Sequence, residues 1–317
     1  MTFTDFFDTI GIRFEAGTKT RGFIPVPGTP VEMPCTIICG TRPGRQILIT
    51  GGVHGGEYPC IETAIQLGLH LQPAEISGTV VVVHPVNPPA FFAKLQYYGP
   101  HDGKNLNRVF PGKALGTASE RIAYVVSQLQ QCSDFFIDLH GGDIHEALLP
   151  FVIYSRLGGD EVAAQSREVS SFLGFPYVVG SVSDNGSIGG AANSGVPGLL
   201  AELGMCGRWS AEEVEEYIEA VRNTLRGLGV IEGTFVRHED VKYLDSMQVL
   251  TAQHTGCWYP SKELGEEVAS GEKLGEIRDF FGEVLSTYYA ERGGILLYVV
   301  TSLAIVTGDP LCAVGVS

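Results

Sequence analysis

Two short stretches of the sequence combine residue types that could hold a metal ion. In GGVHGGEYP, residues 51–59, His54 and Glu57 are separated by two residues inside a glycine-rich turn that follows an apolar run. Side chains this close in sequence converge on one cation only where the backbone turns tightly, and Gly55 and Gly56 permit such a turn. A neutral imidazole and a carboxylate are good zinc ligands, but two ligands hold a metal poorly. DFFIDLHGGD offers a third: His140 closes another apolar run and meets two glycines. Open α/β sheets build their sites at the C-terminal ends of strands. Three protein ligands with a vacant fourth position describe a catalytic rather than a structural site, here for one Zn2+ per chain. Each piece alone is weak, since His-x-x-Glu is common by chance and a lone histidine after a strand is usually a satisfied buried one. Both pieces at glycine-bordered strand ends carry the inference.

A second constellation is HDGKNLNRVFPG, residues 101–112. Asn107 and Arg108 lie in a loop flanked by Gly103 and Gly112, where an amide and a guanidinium could grip a carboxylate. The plainer alternative is an arginine tying down its own loop. Local charge favours the clamp, because residues 88–121 hold Lys94, Lys104, Arg108, Lys113 and Arg121 against only Asp102 and Glu120. A third signal is Glu202 in GLLAELG, one carboxylate in an otherwise apolar run. A buried unpaired carboxylate is costly, so such a residue has a partner or a catalytic task.

The elements that must position these groups alternate between strand and helix. QILITGG from Gln46, GTVVVVHPV at 78–86, DFFIDLH at 134–140, PFVIYS, PYVVGS and GLLAELG read as buried strands. IETAIQLGLHLQ at 61–72 reads as a helix, as does SERIAYVVSQLQQ with Ser119 as its cap. A further helix starts at Ser210, whose spacing to Glu213 is that of a capping box, and carries the stripe Val214, Tyr217, Ile218, Val221, Leu225 and Leu228. This pattern predicts an α/β domain with a largely parallel sheet between helices over residues 1–233, including an N-terminal β segment at 1–45. Residues 234–317 predict a small β domain. EEVASGEKLGEI at 266–277 and LAIVTGDPLCAV at 303–314 echo each other, as in a duplicated hairpin of a pseudo-twofold barrel. The modifiable lysine of a carrier domain is missing from Leu296–Leu303, which argues against a carrier function.

Composition removes other classes. The 317 residues carry 21 Lys+Arg against 36 Asp+Glu, a net charge of −15, which disfavours nucleic acid and anionic membranes as partners. Residues 1–204 hold 12 basic and 18 acidic groups, and residues 205–317 hold 9 and 18, so much of the acidity lies beyond the candidate site. The start MTFTDFFDTI does not read as a secretory signal, and the apolar stretch Ile295–Val306 is too short to span a bilayer. Seven scattered cysteines without a CxxC pair read as small core residues of a cytoplasmic protein. No phosphate loop, GxGxxG or GxSxG occurs. His101 and His145 flank the key motifs and are further candidates for the pocket wall.

GGVHGGE, DGKNLNRVFPG, DLHGG and GVPGLLAELG resemble, in order, the motifs of the succinylglutamate desuccinylase/aspartoacylase family, a branch of the zinc carboxypeptidase-like hydrolases. The resemblance spans about residues 35–230, and a small β domain after it is usual in the family. It implies a mixed, largely parallel sheet and zinc bound by His54, Glu57 and His140. It also implies a substrate carboxylate held by Asn107 and Arg108, with Glu202 as general base. One departure stands out: members often carry another arginine shortly before the DG-x-N-x-NR segment, whereas AKLQYYGPHDG has Gln96, Tyr97 and Tyr98 there, with Lys94 or Lys104 as possible substitutes. The expected activity is zinc-dependent deacylation of a small N-acyl amino acid, with Arg108 also helping to stabilise the oxyanion. A metallocarboxypeptidase acting on short peptides and a non-catalytic binding protein on the same fold are the alternatives. Association into a homo-oligomer is left open.

Overall fold

The computed structural model describes residues 1–317. Nine strands form one large sheet in the order Lys19–Pro25, Glu32–Cys39, Ser77–Val83, Arg42–Gly51, Phe135–His140, Gly198–Glu202, Phe151–Ser155, Tyr177–Ser181, Lys242–Leu244. Five of the eight pairings are parallel and three antiparallel, so the sheet is mixed and largely parallel as expected. Its central strands are apolar on both sides because both faces are covered. Ile47 and Ile49 face one cluster with the helices Tyr58–His70 and Ala211–Gly227, while Leu48 between them faces the cluster that holds Phe3–Thr9 and Ala118–Gln130. Successive side chains of a strand point to opposite faces, and this alternation is why a continuous apolar run was the right signature for these strands.

The three strands that carry the candidate metal ligands and Glu202 are adjacent and mutually parallel. Gly51 pairs with Leu139, and His140 pairs with Glu202. Their C-terminal ends therefore open on the same edge of the sheet.

Three details differ from expectation, the third in the C-terminal sheets. The helix Ala118–Gln130 is capped by Thr117, with Glu120 completing the capping box, and not by Ser119. Ser119 instead donates both its N–H and its hydroxyl to Asp102, at 2.8 Å each, which fastens the Asn107 loop to this helix. The strand Lys242–Leu244, beyond residue 233, still pairs with Tyr177–Ser181 of the large sheet.

After Ser246 the chain forms two antiparallel β sheets. The echoed segments are not hairpins. Glu267–Val268 belongs to the first of these sheets and Lys273–Arg278 to the second, whereas Ala304–Ile305 belongs to the second and Pro310–Val316 to the first. Each unit thus crosses between the sheets in opposite senses, which is the pseudo-twofold relation without the hairpin pairing. These sheets are tied to the rest of the chain by Glu146–Leu148, which pairs with Gly294–Val300. No helix is long and apolar enough to cross a membrane. All seven cysteines are free, five of them buried.

His84, just past the strand Ser77–Val83, places Nε2 3.0 Å from Thr36 Oγ1. Burial, with some repulsion from Arg21, holds its imidazole below the ordinary value of 6.5. From about pH 6.5 downward the unfolded chain takes up a proton that the folded chain refuses, so stability falls as pH drops through that window. Replacing His84 with Gln should flatten the stability curve between pH 7 and pH 5, measured as urea midpoints. An unchanged slope would assign the acid sensitivity to other groups.

Candidate metal centre and active site

The glycines of the first motif are required by close approach as much as by dihedral angle. Gly52 adopts φ +75°, the left-handed turn after the strand. Gly55 and Gly56 do not have positive φ. A Cβ on Gly55 would lie 2.3 Å from the backbone carbon of Ala90, and one on Gly56 would lie 2.2 Å from Asp143 Oδ1. The turn is thus pressed between the short helix Pro88–Ala93 and the loop after His140, and aims His54 and Glu57 at the sheet edge.

Glu57 stands at the N-cap of the helix Tyr58–His70, yet its side chain makes no capping bond. Its Oε1 lies 2.6 Å from His54 Nδ1, and its Oε2 lies 3.0 Å from His140 Nδ1 and accepts from Gly141 N at 3.3 Å. One ligand atom from each of these three residues lies within 4.8 Å of the others, and all three residues are buried. This trio can hold a metal ion.

His140 Nε2 is 3.0 Å from Asp138 Oδ2. Asp138 is fully buried, accepts from Thr50 Oγ1 at 2.6 Å, and also accepts from the Ser187 hydroxyl. A carboxylate behind an imidazole fixes the proton on the far nitrogen and leaves the near one, Nδ1, with its lone pair toward the trio, the usual arrangement behind a metal-binding histidine. Burial disfavours a charged His140, but Glu57 and Asp138 on either side outweigh it and raise its pKa. Burial likewise works against an ionised Glu57, and the two imidazoles reverse that and hold its carboxyl low. The potential that invites a proton here invites a cation, so metal and proton compete for the site.

Glu202 sits beside His140 across the parallel pairing, and its carboxylate accepts no hydrogen bond from the protein. Burial, with repulsion from Glu57, Glu146 and Asp138 and opposed by His140, pushes its carboxyl well above the ordinary range. Tyr217, from the apolar stripe of the Ala211–Gly227 helix, joins the two strand ends: its hydroxyl donates to Ala201 O at 2.6 Å and accepts from His140 N at 3.3 Å.

Asn107 is buried, with Oδ1 accepting from Ser187 N at 2.8 Å and Nδ2 unengaged within the protein. Exposed Arg108 makes no ion pair and donates only to Asn107 O, at 2.8 Å. The surrounding basic residues do not join it. Lys104 and Lys113 both pair with Glu120, and Arg121 donates to the carbonyls of Gly116 and Pro27. Lys94 lies in an apolar groove of about 380 Å³ with Phe91, Phe92 and Trp209. Lys104, Lys113 and Arg121 are thus spent on structure, whereas Arg108 and Lys94 make no ion pair. From the segment that lacks the second arginine, Tyr97 reaches the site, its ring edge-on to His54 at 6.0 Å between centroids. His101 and His145 are exposed at the surface. Cys60 is buried, its thiol pushed up by burial and its Sγ donating to Glu57 O at 3.0 Å, as a core residue.

Residues 43–228 match the catalytic domain of the succinylglutamate desuccinylase/aspartoacylase family. The chain belongs to that family. N-alpha-acetyl-L-2,4-diaminobutyric acid deacetylase of Halomonas elongata is 29% identical, with 96% of this chain and 93% of that protein aligned. The product-bound ectoine utilization protein of Ruegeria pomeroyi superposes with a TM-score of 0.85 at 26% identity, covering 97% of this chain and 98% of that one. A succinylglutamate desuccinylase of Silicibacter sp. follows with a TM-score of 0.83 at 25% identity, covering 96% and 97%. Members of this family hydrolyse amide bonds of small acylated amino acids, and the chain is an amidohydrolase of that kind. Motif reading missed the roles of Asp138, Ser187 and Tyr217, and of Asn105, whose Oδ1 lies 3.2 Å from His54 Nε2. Asp138 had a signal, since it precedes His140 by two residues and therefore shares its face of the strand.

Proposed function

We propose that the protein is a zinc-dependent deacylase of small N-acyl amino acids, with His54, Glu57 and His140 holding the zinc. The carrying observation is the unpartnered Glu202 carboxylate beside that trio. The donor set of two imidazoles and a carboxylate, with Asp138 behind His140, fits zinc. Bound zinc supplies Lewis acidity for water activation and carbonyl polarisation. Glu202 takes the proton of the attacking water and passes it to the leaving amine. Arg108 and the free Nδ2 of Asn107 bind the carboxylate of the amino-acid half and orient the acyl group, and Arg108 lends its charge to the developing oxyanion. Deacetylation of an amino acid derivative by the Halomonas relative supports this reading.

A small substrate is favoured over a peptide because the C-terminal region packs on the segment that follows His140. Thr301 N donates to His145 O at 2.8 Å, and Gly294–Val300 pairs with the strand that begins at Glu146. Seven cysteines without a disulfide suit a reducing cytoplasm. Metal analysis combined with a panel of N-acetyl, N-succinyl and N-formyl amino acids and dipeptides tests the proposal. The expected result is one zinc per chain and chelator-sensitive release of free amino acid. Absence of such hydrolysis across the panel would reject it.

A further inference from the structure

Hydrogen bonds join the metal trio and the Asn107 turn into one closed ring. Asn105, the N-cap of the short turn Leu106–Arg108, accepts from Asn107 N through Oδ1 at 2.8 Å. A backbone N–H can only donate, so the atom facing it is the amide oxygen and not Nδ2. The same oxygen lies 3.2 Å from His54 Nε2. The imidazole must therefore donate, which puts a proton on Nε2 and turns Nδ1 to Glu57 Oε1 at 2.6 Å. An imidazole nitrogen and a carboxylate oxygen this close are held together by a proton or a metal ion between them. Asn105 Oδ1 thus serves a candidate metal ligand and the backbone of the candidate carboxylate clamp at once. Ser187 closes the ring from the other side. It is fully buried, its N donates to Asn107 Oδ1 at 2.8 Å, and its hydroxyl donates to Asp138 Oδ2, which lies 3.0 Å from His140 Nε2. The two histidines then meet at the two oxygens of Glu57. Leu106 is buried in the core and Arg108 donates back to Asn107 O, so the turn between the two ties moves as a unit.

We propose that Asn105 is a positioning residue that couples the metal trio to the carboxylate clamp, so that metal occupancy orders residues 105–108 and a held carboxylate tightens the hold on the metal. This rests on the zinc and clamp assignments of the deacylase reading and adds the link between them. Fixing the Nδ1 side of the His54 ring fixes where Nε2 meets Asn105, and Asn105 in turn fixes the backbone from which Asn107 and Arg108 project. A turn already ordered by an occupied metal site loses less conformational freedom when a carboxylate binds to it. Such coupling of binding free energies is reciprocal.

The test needs no substrate, only zinc and a chelator. Amide hydrogen exchange of residues 105–108 is measured with each, against the distant strand Pro310–Val316 as control. Zinc should slow exchange at 105–108 by about tenfold beyond its effect on the control. In Asn105→Ser the hydroxyl still caps the turn but, one bond shorter, falls short of His54. That variant should lose the extra protection even with zinc saturating, and its zinc Kd, read by chelator competition, should weaken by about 10–100-fold. Asn105→Asp keeps the shared oxygen and should restore both, because Nδ2 of Asn105 has no protein partner to lose. A merely structural role for Asn105 would lower the melting point of the chelated variant and leave the zinc-dependent difference unchanged. Wild-type protection at 105–108 no greater than in the control, or protection and zinc affinity untouched in Asn105→Ser, overturns the coupling and leaves the deacylase reading standing. Zinc-dependent protection that Asn105→Ser abolishes, in a protein that hydrolyses none of the N-acyl amino acids, keeps the coupling and removes the deacylase reading. Failure to bind zinc removes both.

Discussion

Replacing Glu202 with Gln is expected to lower kcat by about 10²–10⁴-fold, the range lost when a positioned general base is removed. The zinc content should stay unchanged. Gln keeps the volume and the polarity of the side chain but cannot accept the proton of an attacking water or return it to a leaving amine. The strand pairing that sets Glu202 beside His140 involves only backbone, so the substitution leaves the ligands in place. No donor in the protein loses a partner, because the carboxylate has none. KM should change little, since the proposed contacts to the substrate carboxylate are Arg108 and Asn107, not Glu202. Kinetics and metal stoichiometry measured on one preparation check this. Turnover near the original rate would reject Glu202 as the base.

The strands and their order of motifs were legible because a sheet covered on both faces writes itself as continuous apolar runs, and Val80–Val83 or Phe135–Ile137 carry little else. The glycine-bordered ends marked where those runs met the site. Charge was less legible. Five basic residues within 88–121 looked like one electropositive loop, but whether a lysine reaches a ligand or a neighbouring glutamate depends on side-chain direction. Lys104 and Lys113 both turn to Glu120, which a count of charges cannot register. The cap was misplaced for a similar reason: Thr117 and Ser119 are equally suited to the role, and the pull of Asp102 on Ser119 comes from a loop distant in sequence. Support around the ligands was the hardest to see. Ser187 links Asn107 to Asp138 from a short helix that bears no metal-binding motif, and only tertiary packing brings it there. The crossing of the two echoed β units between sheets was likewise invisible, since a short strand, a turn and a longer strand read the same whether or not the arms pair.

Replacing His140 with Ala is expected to abolish both zinc binding and turnover, with activity falling by at least about 10³-fold on losing the metal's share of catalysis. Two ligands remain, and His54 and Glu57 lie in one turn and approach the site from one side. The buried carboxylates also lose their compensation. Glu57 keeps His54 but loses the imidazole on its other oxygen, and Asp138 keeps Thr50 and Ser187 but loses its ring partner. Stability gives a readout independent of activity. Zinc at about 1,000 times its Kd stabilises a folded protein by about 4 kcal/mol, so the wild type should melt several degrees higher with zinc than with chelator, while His140→Ala melts alike in both. Asp138→Asn separates ligand from support. It should weaken zinc by about 10–100-fold and recover much of its activity when zinc is added in excess, which His140→Ala should not do. A His140→Ala protein that retains one zinc and chelator-sensitive hydrolysis would show that the metal is held elsewhere.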